Sequence, residues 1–313
     1  NVKINLMEIS IIVLTYNAKD ITIKMLTSLR RSVNFFESQT GKRTEVLVID
    51  NASTDGVLDE VRKFDFVKVV NNNQNLGFAK GNNLAFRESS HQSKYLLFLN
   101  PDIILDESTI YDTYVFLKSN KNVGLITCDL FLPNGQRDID CHRAFPTIWN
   151  AFCYFTKLEK FLGNTFPKIF GGYHLLHEDF TKPHEIDACL GAFMLIDRQI
   201  FEEVGGWSED YFLNGEDIDL CYKIKILKGK KILFFPDAKV VHHKGSSKGT
   251  KKVTSQKVKA SKSTKDLQIK SGIEAMRIFY KKFYAQNNNF IVNSVVYLGM
   301  DLLKFIRLIT KSE

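Results

Sequence analysis

The sequence has 313 residues, of which 44% are hydrophobic, 25% charged and 12% aromatic. This is enough apolar material for a large buried core, at a length typical of one large domain or two small ones. The composition excludes a disulfide-stapled miniprotein, a collagen-like fibre and a wholly disordered chain.

The net charge of +8 is concentrated in one late segment. Residues 244–282 contain twelve Lys or Arg and two acidic residues, whereas residues 1–243 contain 28 basic and 31 acidic side chains. The body of the chain is therefore slightly acidic. The basic segment lacks the interleaved aromatic side chains on which nucleic-acid bases stack, so we expect no nucleic-acid partner.

Cysteine usage and the first residues indicate a reducing compartment. The five cysteines form no CxxC pair, and five thiols cannot all pair with one another, so we expect buried free thiols. The opening residues are a strand-like run, and no basic-then-apolar leader with a cleavage site is found there. We therefore expect a cytoplasmic protein.

The first hundred residues alternate short apolar runs with helix-like stretches. This order predicts a parallel α/β sheet with helical crossovers. The predicted strands are Ile9–Thr15, Glu45–Asp50, Val67–Val70 and Tyr95–Leu99, and the predicted helices are Lys19–Arg31, Val57–Phe64 and Phe78–Glu88.

The pattern changes after a further strand at Val123–Thr127. Residues 131–185 are irregular and rich in aromatic residues, whose side chains suit either a sugar-stacking wall or a hydrophobic lid. Periodicity returns with a strand at Gly191–Asp197, a short helix to Val204, a helix from Ile218 to about Leu227 and the strands KILFF and AKVVHH. A Lys/Ser/Thr/Gly stretch then predicts a loop or linker, followed by helices.

Polar residues follow the predicted strands, where ligands of parallel sheets bind. The sequence has neither a GxGxxG turn after its first strand nor a GxxxxGK[ST] loop, so phosphate groups need another partner, such as a metal held by a carboxylate. Asp102 follows a buried strand directly and is the best candidate ligand. Taken alone, an Asn-Pro-Asp turn is also consistent with helix capping.

Two later clusters add candidate groups. Glu216, Asp217 and Asp219 open a helix, where acids cap the first turn unless one of them points into a cleft as a general base. The turn before this helix combines three glycines with large flat side chains, which predicts a flexible wall of that cleft: Trp207, Tyr211 and Phe212. His242 and His243 end a strand, so at most one of the two rings faces inward. Imidazole combined with carboxylate suits Mn²⁺ and is tolerable for Mg²⁺.

Six blocks, in order, carry a specific resemblance. They are VLTYN (13–17), VIDNASTDG (48–56), NLGFAKGNN (75–83), LLFLNPD (96–102), the segment from Gly191 to Gly229, and VVHHKGSS (240–247). Together they resemble the glycosyltransferase family 2 enzymes of GT-A fold, and most closely their rhamnosyltransferase-like branch. The resemblance implies a Rossmann-like, mostly parallel sheet flanked by helices, followed here by C-terminal amphipathic helices.

The resemblance also implies roles for single positions. The nucleotide-sugar site would use Thr15, Asn17, Asp50, Asn75, Gly77, Lys80 and Asn100. Asp102 would hold Mg²⁺ or Mn²⁺ together with His242, with His243 as the alternative, and Asp217 would be the catalytic base. Asn100 stands where the family's DxD motif has its first Asp, which implies a weaker and more open metal site.

The function implied by the resemblance is a metal-dependent, inverting hexosyltransferase of bacterial surface polysaccharide biosynthesis. The donor would be a nucleoside-diphosphate sugar, with dTDP-rhamnose favoured and UDP-hexoses or galactofuranose as alternatives. The acceptor would be a saccharide, most often lipid-linked in this family. The alternative function is a non-catalytic nucleotide-sugar-binding scaffold of the same fold.

The expected organisation has three parts. Residues 1–243 form the catalytic domain, in which 131–185 is an acceptor-side insertion, and 244–272 form a basic flexible linker. Residues 273–313 form a helical segment that either binds the anionic inner face of the membrane or packs on the core or on a second copy as a homodimer.

Overall fold

The computed structural model describes residues 7–211, 214–244 and 262–310. Within these ranges the chain builds one mixed sheet of nine strands flanked by helices, in the spatial order β3-β2-β1-β4-β8-β6-β9-β5, with β7 paired to β9. The strands are β1 (Met7–Thr15), β2 (Arg43–Asp50), β3 (Val67–Asn71), β4 (Tyr95–Leu99), β5 (Ile103–Leu105), β6 (Val123–Phe131), β7 (His184–Ile186), β8 (Phe193–Asp197) and β9 (Lys231–His242).

Eleven α-helices lie in the described ranges, and they include short ones that the sequence pattern does not predict. They are α1 (Lys19–Thr40), α2 (Val57–Val61), α3 (Gly77–Glu88), α4 (Thr109–Ser119), α5 (Ile148–Phe155), α6 (Leu158–Leu162), α7 (Pro167–Phe170), α8 (Arg198–Glu203), α9 (Glu216–Tyr222), α10 (Lys262–Phe283) and α11 (Phe290–Thr310). A π-helical turn, Lys223–Leu227, continues α9.

The first four strands are parallel, as the sequence predicts. The apolar runs of β1, β2 and β4 are buried on both faces, which is the environment expected of a parallel sheet covered by crossover helices, whereas the edge strand β3 is half-exposed. In the register, Thr15 lies beside Asp50 and Asp50 beside Asn71. The carboxyl ends of β1, β2 and β3 therefore meet at one edge of the sheet.

The second half of the sheet is mixed. Strand β8 is antiparallel to β4 and β6, and β6 is parallel to β9. The short strand β5 pairs antiparallel with the end of β9, which brings Ile103 opposite His242. This pairing places the residue before β5, Asp102, beside the last residue of β9.

The five cysteines are all buried free thiols, as predicted. The sequence pattern also predicts Trp207 and Tyr211 as flat walls of a cleft, and this is wrong. Trp207 is 1% exposed and packs edge-on against Phe78 and Phe98, so it belongs to the core. Phe212, of the same turn, lies outside the described residues.

The segment 131–185 docks on β9 through aromatic rings. The ring of the fully buried His142 lies 4.3 Å from the Phe180 centroid and 5.0 Å from that of Phe234. Its Nε2 contacts Nε2 of His184, and its Nδ1 lies 3.1 Å from the carbonyl oxygen of His174. The insertion is therefore packed against the sheet.

Helix α10 packs on the body as well. Phe279 is buried in the main core, and Phe283 stacks on Tyr222 with ring centroids 4.2 Å apart. Helix α11 folds back on α10, where Met300 packs with Ile273 and Tyr280. Because α10 begins at Lys262, regular structure starts earlier than the expected linker end at residue 272, while residues 245–261 of that linker lie outside the described ranges.

Within the described ranges, no helix combines the length and the apolar content needed to cross a bilayer.

A pH-dependent stability follows from His142. Burial, together with the neighbouring His184, lowers the pKa of His142 from 6.5 to about 3. Between about pH 6.5 and pH 3, the unfolded chain therefore binds a proton at this histidine that the folded chain does not bind. The contribution of His142 to the free energy of unfolding falls as the pH is lowered through this range. We expect His142 to account for a loss of about 2 kcal/mol in the free energy of unfolding between pH 7 and pH 5.

Urea unfolding at the two pH values measures this loss. His142→Phe should remove most of this pH-dependent component, whereas the control His91→Gln, at an exposed position, should retain it. An unchanged pH dependence in His142→Phe would contradict the assignment.

Candidate active site

Asn51 holds the edge formed by β2 and β3 together. Its side chain is buried, its Nδ2 donates to Oδ1 of Asn75 at 2.8 Å and to the carbonyl of Gly77 at 3.3 Å, and its Oδ1 accepts from Nδ2 of Asn72 and from the backbone N–H of Leu76. Four hydrogen bonds satisfy the amide completely. Asn51 therefore fixes the loop that leads into α3.

The predicted residues after β1 and β2 lie at the same edge and are already hydrogen-bonded within the protein. The Thr15 hydroxyl lies 3.0 Å from that of Thr22. Asn17 has a φ of +47°, which Asn tolerates, and its Oδ1 accepts from the Thr54 N–H at 2.8 Å. Asp50 accepts from the Ser53 N–H at 3.2 Å. Asn17 therefore links the loop after β1 to the loop after β2.

The remaining predicted nucleotide-sugar residues differ in exposure. Asn75 Oδ1 accepts the Gly77 N–H at 2.9 Å, and Gly77 has a φ of +76°, a left-handed backbone that favours glycine. Lys80 projects from the first turns of α3 into solvent. Asn100 is half-buried at the end of β4, and its N–H donates to the carbonyl of Ala192 at 3.0 Å.

Asp102 and His242 face each other at the end of the β5–β9 pair. Oδ1 of Asp102 lies 3.4 Å from Nε2 of His242, and both side chains are buried. Nδ1 of His242 donates to Oδ2 of Asp138 at 2.9 Å. Burial disfavours the imidazolium form, but the hydrogen bonds with both carboxylates outweigh it and raise the pKa of His242.

His243 is less buried than His242. Burial lowers its pKa although the nearby Asp102 opposes this, and its backbone N–H donates to the Asp102 carbonyl at 2.8 Å. His242, whose Nε2 lies 3.4 Å from Oδ1 of Asp102, is the better-placed ligand of the two.

The insertion extends this cluster with further charges. Lys244 Nζ lies 2.6 Å from Oδ1 of Asp138 and also contacts Asp140. Burial opposes the charge on Lys244, but the two carboxylates raise its pKa. Nε2 of His174 lies 3.5 Å from Asp140, and its Nδ1 lies 2.8 Å from Oε2 of Glu159.

Asp217 is held by a buried arginine from the same insertion. Nη2 of Arg143 donates to Oδ2 of Asp217 at 2.6 Å and to the carbonyl of Cys189 at 2.8 Å. Burial works against the guanidinium charge, but Asp217 raises the pKa of Arg143. Within the described residues, Oδ1 of Asp217 accepts one hydrogen bond, from the N–H of Ile218 at 2.8 Å, so lone pairs remain on the carboxylate.

The three acids at the start of α9 have different surroundings. Asp219 is fully buried and pairs with Lys223 at 3.3 Å and with Lys282 at 2.7 Å, which ties α9 to α10. Glu216 is also buried. Asp219 is therefore structural, and Asp217 is the acid that contacts the insertion.

A series of ion pairs and one longer-range charge interaction link the two predicted chemical groups. From Asp102 it passes through His242, Asp138, Lys244 and Asp140. Asp140 acts electrostatically on Arg143, which is ion-paired with Asp217. The sequence analysis missed Asp138, Asp140 and Arg143 because they stand in the irregular stretch 131–185, where only their charge within an apolar segment marks them.

The donor set of the cluster fits a divalent cation. A carboxylate oxygen and an imidazole nitrogen that face each other are ligand types that Mn²⁺ accepts, and a carboxylate on the far ring nitrogen is the usual orienting partner of a metal-binding histidine. No group of three or more His, Cys, Asp or Glu side chains with metal-ligating geometry occurs in residues 7–211, 214–244 and 262–310. Asp102 and His242 thus offer two protein ligands.

A comparison with known protein families shows to which family the chain belongs. The family described as "Glycosyl transferase family 2" matches residues 10–205. The chain belongs to this family. The matched range includes Asp102 and the nucleotide-side residues, whereas Asp217 and His242 lie beyond its end.

Two curated relatives fit the rhamnosyltransferase-like branch. The chain is 30% identical over 173 residues to rhamnosyltransferase WbbL of Escherichia coli K12, an alignment that covers 53% of this chain and 61% of that protein. It is 23% identical over 233 residues to the N-acetylglucosaminyl-diphospho-decaprenol L-rhamnosyltransferase of Mycobacterium tuberculosis H37Rv, covering 71% of this chain and 73% of that protein. The alignment with WbbL thus spans about three fifths of that relative's length.

A solved structure supports the fold. The mannosyltransferase PcManGT from Pyrobaculum calidifontis, in complex with GDP-Man and Mn²⁺, has a TM-score of 0.59 and 18% sequence identity, and the match covers 97% of this chain and 73% of that one. The expected α/β fold of GT-A type, a mostly parallel sheet flanked by helices, is confirmed.

The buried pair of Arg143 and Asp217 predicts a non-additive double-mutant cycle. Arg143→Met leaves Asp217 as an uncompensated buried charge and should lower the free energy of unfolding by about 3–5 kcal/mol. Adding Asp217→Asn removes that charge, so the double variant should recover a large part of the loss. Urea unfolding measures all four proteins, and additive effects would contradict direct coupling.

Proposed function

We propose that the chain is an inverting, metal-dependent glycosyltransferase of bacterial surface polysaccharide biosynthesis. It would move a sugar, with rhamnose favoured, from a nucleoside-diphosphate donor to a saccharide acceptor carried on a lipid. The observation that carries the proposal is the network of charged groups that runs from the Asp102–His242 pair to the ion pair of Arg143 with Asp217, in which Asp140 and Arg143 interact through charge. The names of the two curated relatives support rhamnose and, in the mycobacterial enzyme, a decaprenol-linked acceptor.

The donor would bind along the edge where β1, β2 and β4 end. Asp50, Asn17 and Thr15 offer carboxylate, amide and hydroxyl groups to a base and a ribose, while Asn51 fixes the neighbouring loop that leads into α3. Lys80 and Asn100 complete the pocket, with the Lys80 ammonium available to an anionic donor. Gly77 has no side chain to obstruct the approach of the donor to the backbone.

Asp102 and His242 would hold Mg²⁺ or Mn²⁺. When bound, the cation neutralises the negative charge that develops on the departing diphosphate. Asp138 keeps the His242 ring oriented with Nε2 toward Asp102, and Lys244 balances the charge of Asp138. Because two protein ligands leave a cation under-coordinated, oxygen atoms of the diphosphate would supply further ligands.

Asp217 would act as the general base. The acceptor hydroxyl attacks the anomeric carbon on the face opposite the diphosphate, the bond from that carbon to the diphosphate oxygen breaks, and the hydroxyl proton passes to a carboxylate oxygen of Asp217. The result is a single displacement with inversion. Arg143 positions the carboxylate and balances its charge before the acceptor arrives.

The acceptor would be met at a membrane surface. Helix α11 exposes an apolar face whose members recur every three or four residues: Ile291, Val295, Leu298, Leu302 and Phe305. Such a helix suits the interface of a bilayer, lying in its plane rather than crossing it. We propose peripheral attachment to the anionic inner face of the cell membrane, to which the lysines of residues 244–261 would add attraction.

The alternative is a nucleotide-sugar-binding scaffold without catalysis. The buried ion pair that orients Asp217 favours the enzyme, because a scaffold has no need of a positioned base. Incubation with dTDP-rhamnose separates the two functions. A scaffold binds the donor without releasing dTDP. A transferase releases dTDP slowly when water accepts the sugar, and faster when an acceptor saccharide is present.

The catalytic proposal predicts the effect of Asp217→Asn. This substitution removes the proton acceptor and should reduce turnover by at least about 10²-fold, because a general base contributes that much or more. The affinity for the donor should stay within about twofold of the wild type. Initial rates and calorimetric donor binding measure the two effects, with urea unfolding as a check on the fold.

The matched control is Asp210→Asn, an exposed acid of the preceding turn, which should keep near wild-type turnover. Near wild-type turnover in Asp217→Asn would remove Asp217 from the role of base.

The incomplete ligand set predicts that metal and nucleotide bind cooperatively. In thermal unfolding, Mn²⁺ alone and dTDP alone should each raise the melting temperature little, whereas both together should raise it by more than the sum, since each supplies ligands to the other. Asp102→Asn should abolish the cooperative part. Equal, additive shifts in the wild type and in Asp102→Asn would contradict the proposed metal site.

A further inference from the structure

The insertion presents an exposed apolar surface of its own, separate from α11. Helices α5 to α7 and the turns between them carry large apolar side chains that are each 46–71% exposed: Ile148, Trp149, Phe152, Phe161, Phe166 and Ile169. Ring contacts join Trp149 with Phe152 and Phe170, and Phe170 with Phe166, and an exposed apolar cluster of this kind marks an interaction surface in soluble domains. Its aliphatic members, Ile148 and Ile169, offer no ring face to a sugar, so the predicted sugar-stacking wall does not account for the whole surface.

The exposed charged side chains of residues 147–170, which form α5 to α7 and their turns, are all positive. Lys157, Lys160 and Lys168 are exposed on the same helices and turns. Glu159, the one acid between residues 147 and 170, is buried and bonded to His174. The surface therefore combines apolar rings with positive charge, which is the composition of an interfacial membrane-binding segment.

The Trp149 side chain can leave water without losing a hydrogen bond. Its indole N–H donates to the carbonyl of Ile169 at 2.8 Å, and its ring stacks on that of Phe152 with centroids 5.7 Å apart. Because the single polar atom of the ring is already bonded within the protein, moving the ring out of water leaves no unsatisfied donor.

The insertion also contacts both α11 and the site. The guanidinium of Arg307 in α11 lies 5.0 Å over the Phe155 ring at the end of α5. The insertion also supplies Glu159, which holds His174 close to Asp140, and Arg143, which holds Asp217. Tyr154 of α5 packs against the His174 ring with centroids 5.6 Å apart, so the α5–α7 surface is linked through packed side chains to this charged cluster.

We propose that the surface formed by α5 to α7 is a second membrane-docking surface that binds anionic lipid headgroups and inserts its rings among them. It rests on the proposed function, in which the acceptor is carried by a lipid, and it adds the orientation: the acceptor side of the site is held on the bilayer. A second copy of the chain is a poorer occupant, because a two-fold contact would bring the lysines of one copy against those of the other.

Tryptophan fluorescence tests the proposal directly. The chain has two tryptophans, and Trp207 is 1% exposed, so a response to added vesicles reports Trp149. Adding phosphatidylglycerol-containing vesicles to the full chain should shift the emission to shorter wavelength, and lipids with spin labels in their acyl chains should quench it. Pure phosphatidylcholine vesicles should give a smaller response, and Trp149→Phe should give none.

Vesicle sedimentation adds a variant that leaves Trp149 in place. Phe161→Ser combined with Ile169→Ser should lower the affinity for anionic vesicles at least about tenfold, since two large side chains no longer insert. Leu227→Ser, an equally exposed apolar residue outside the insertion and α11, is the matched control and should bind as the wild type does.

Three results would overturn the proposal. The first is vesicle binding without any change in Trp149 emission, which leaves α11 as the sole anchor. The second is wild-type vesicle binding by the Phe161/Ile169 variant. The third is a concentration-dependent emission shift without vesicles, which assigns the surface to a second copy. Release of dTDP from dTDP-rhamnose in vesicle-free buffer is measured alongside, and its absence would count against the proposed function alone.

Discussion

The short antiparallel pairing of β5 with β9 is the contact on which the arrangement of the site depends. It brings Asp102, the residue before β5, to the ring of His242, 140 positions later in the chain. A slip of one residue in this register would turn His242 to the other face of the strand. The apolar residues of the two strands, buried against the core, hold the register that places a carboxylate and an imidazole together.

The insertion provides the side chains that orient the charged groups of the site and pair with them. Parallel strands place polar groups at one edge, but they do not orient them, and buried charges need partners. Asp138 orients His242, Arg143 holds Asp217, and Lys244 links Asp138 with Asp140. Asp138, His242, Arg143 and Asp217 are buried, and Lys244 and Asp140 are half-buried. All of these charges are paired, so their mutual interactions offset the cost of removing them from water. The same segment turns its apolar rings outward, where we propose that they meet a membrane.

Much of the fold could be predicted from the sequence, because β1, β2 and β4 are apolar runs separated by amphipathic helices. The pairing of His242 with Asp102 also followed from the family resemblance. The short elements β5 and α5 to α7 could not be predicted, since three to eight residues give no usable periodicity. Trp207 was assigned to a cleft because glycines surround it, whereas its contacts with Phe78 and Phe98 place it in the core. The partners of Asp217 depend on long-range contacts that no local pattern encodes.

The central claim is that Asp102 and His242 bind a cation that meets the donor diphosphate close to Asp217. A crystal structure grown with Mn²⁺ and dTDP, with the manganese located by its anomalous scattering, tests it most directly. The account predicts one manganese ion within bonding distance of Asp102 Oδ1 and His242 Nε2 and of diphosphate oxygens, with Asp217 facing the same space. A nucleotide bound with its diphosphate away from these two residues would contradict the account.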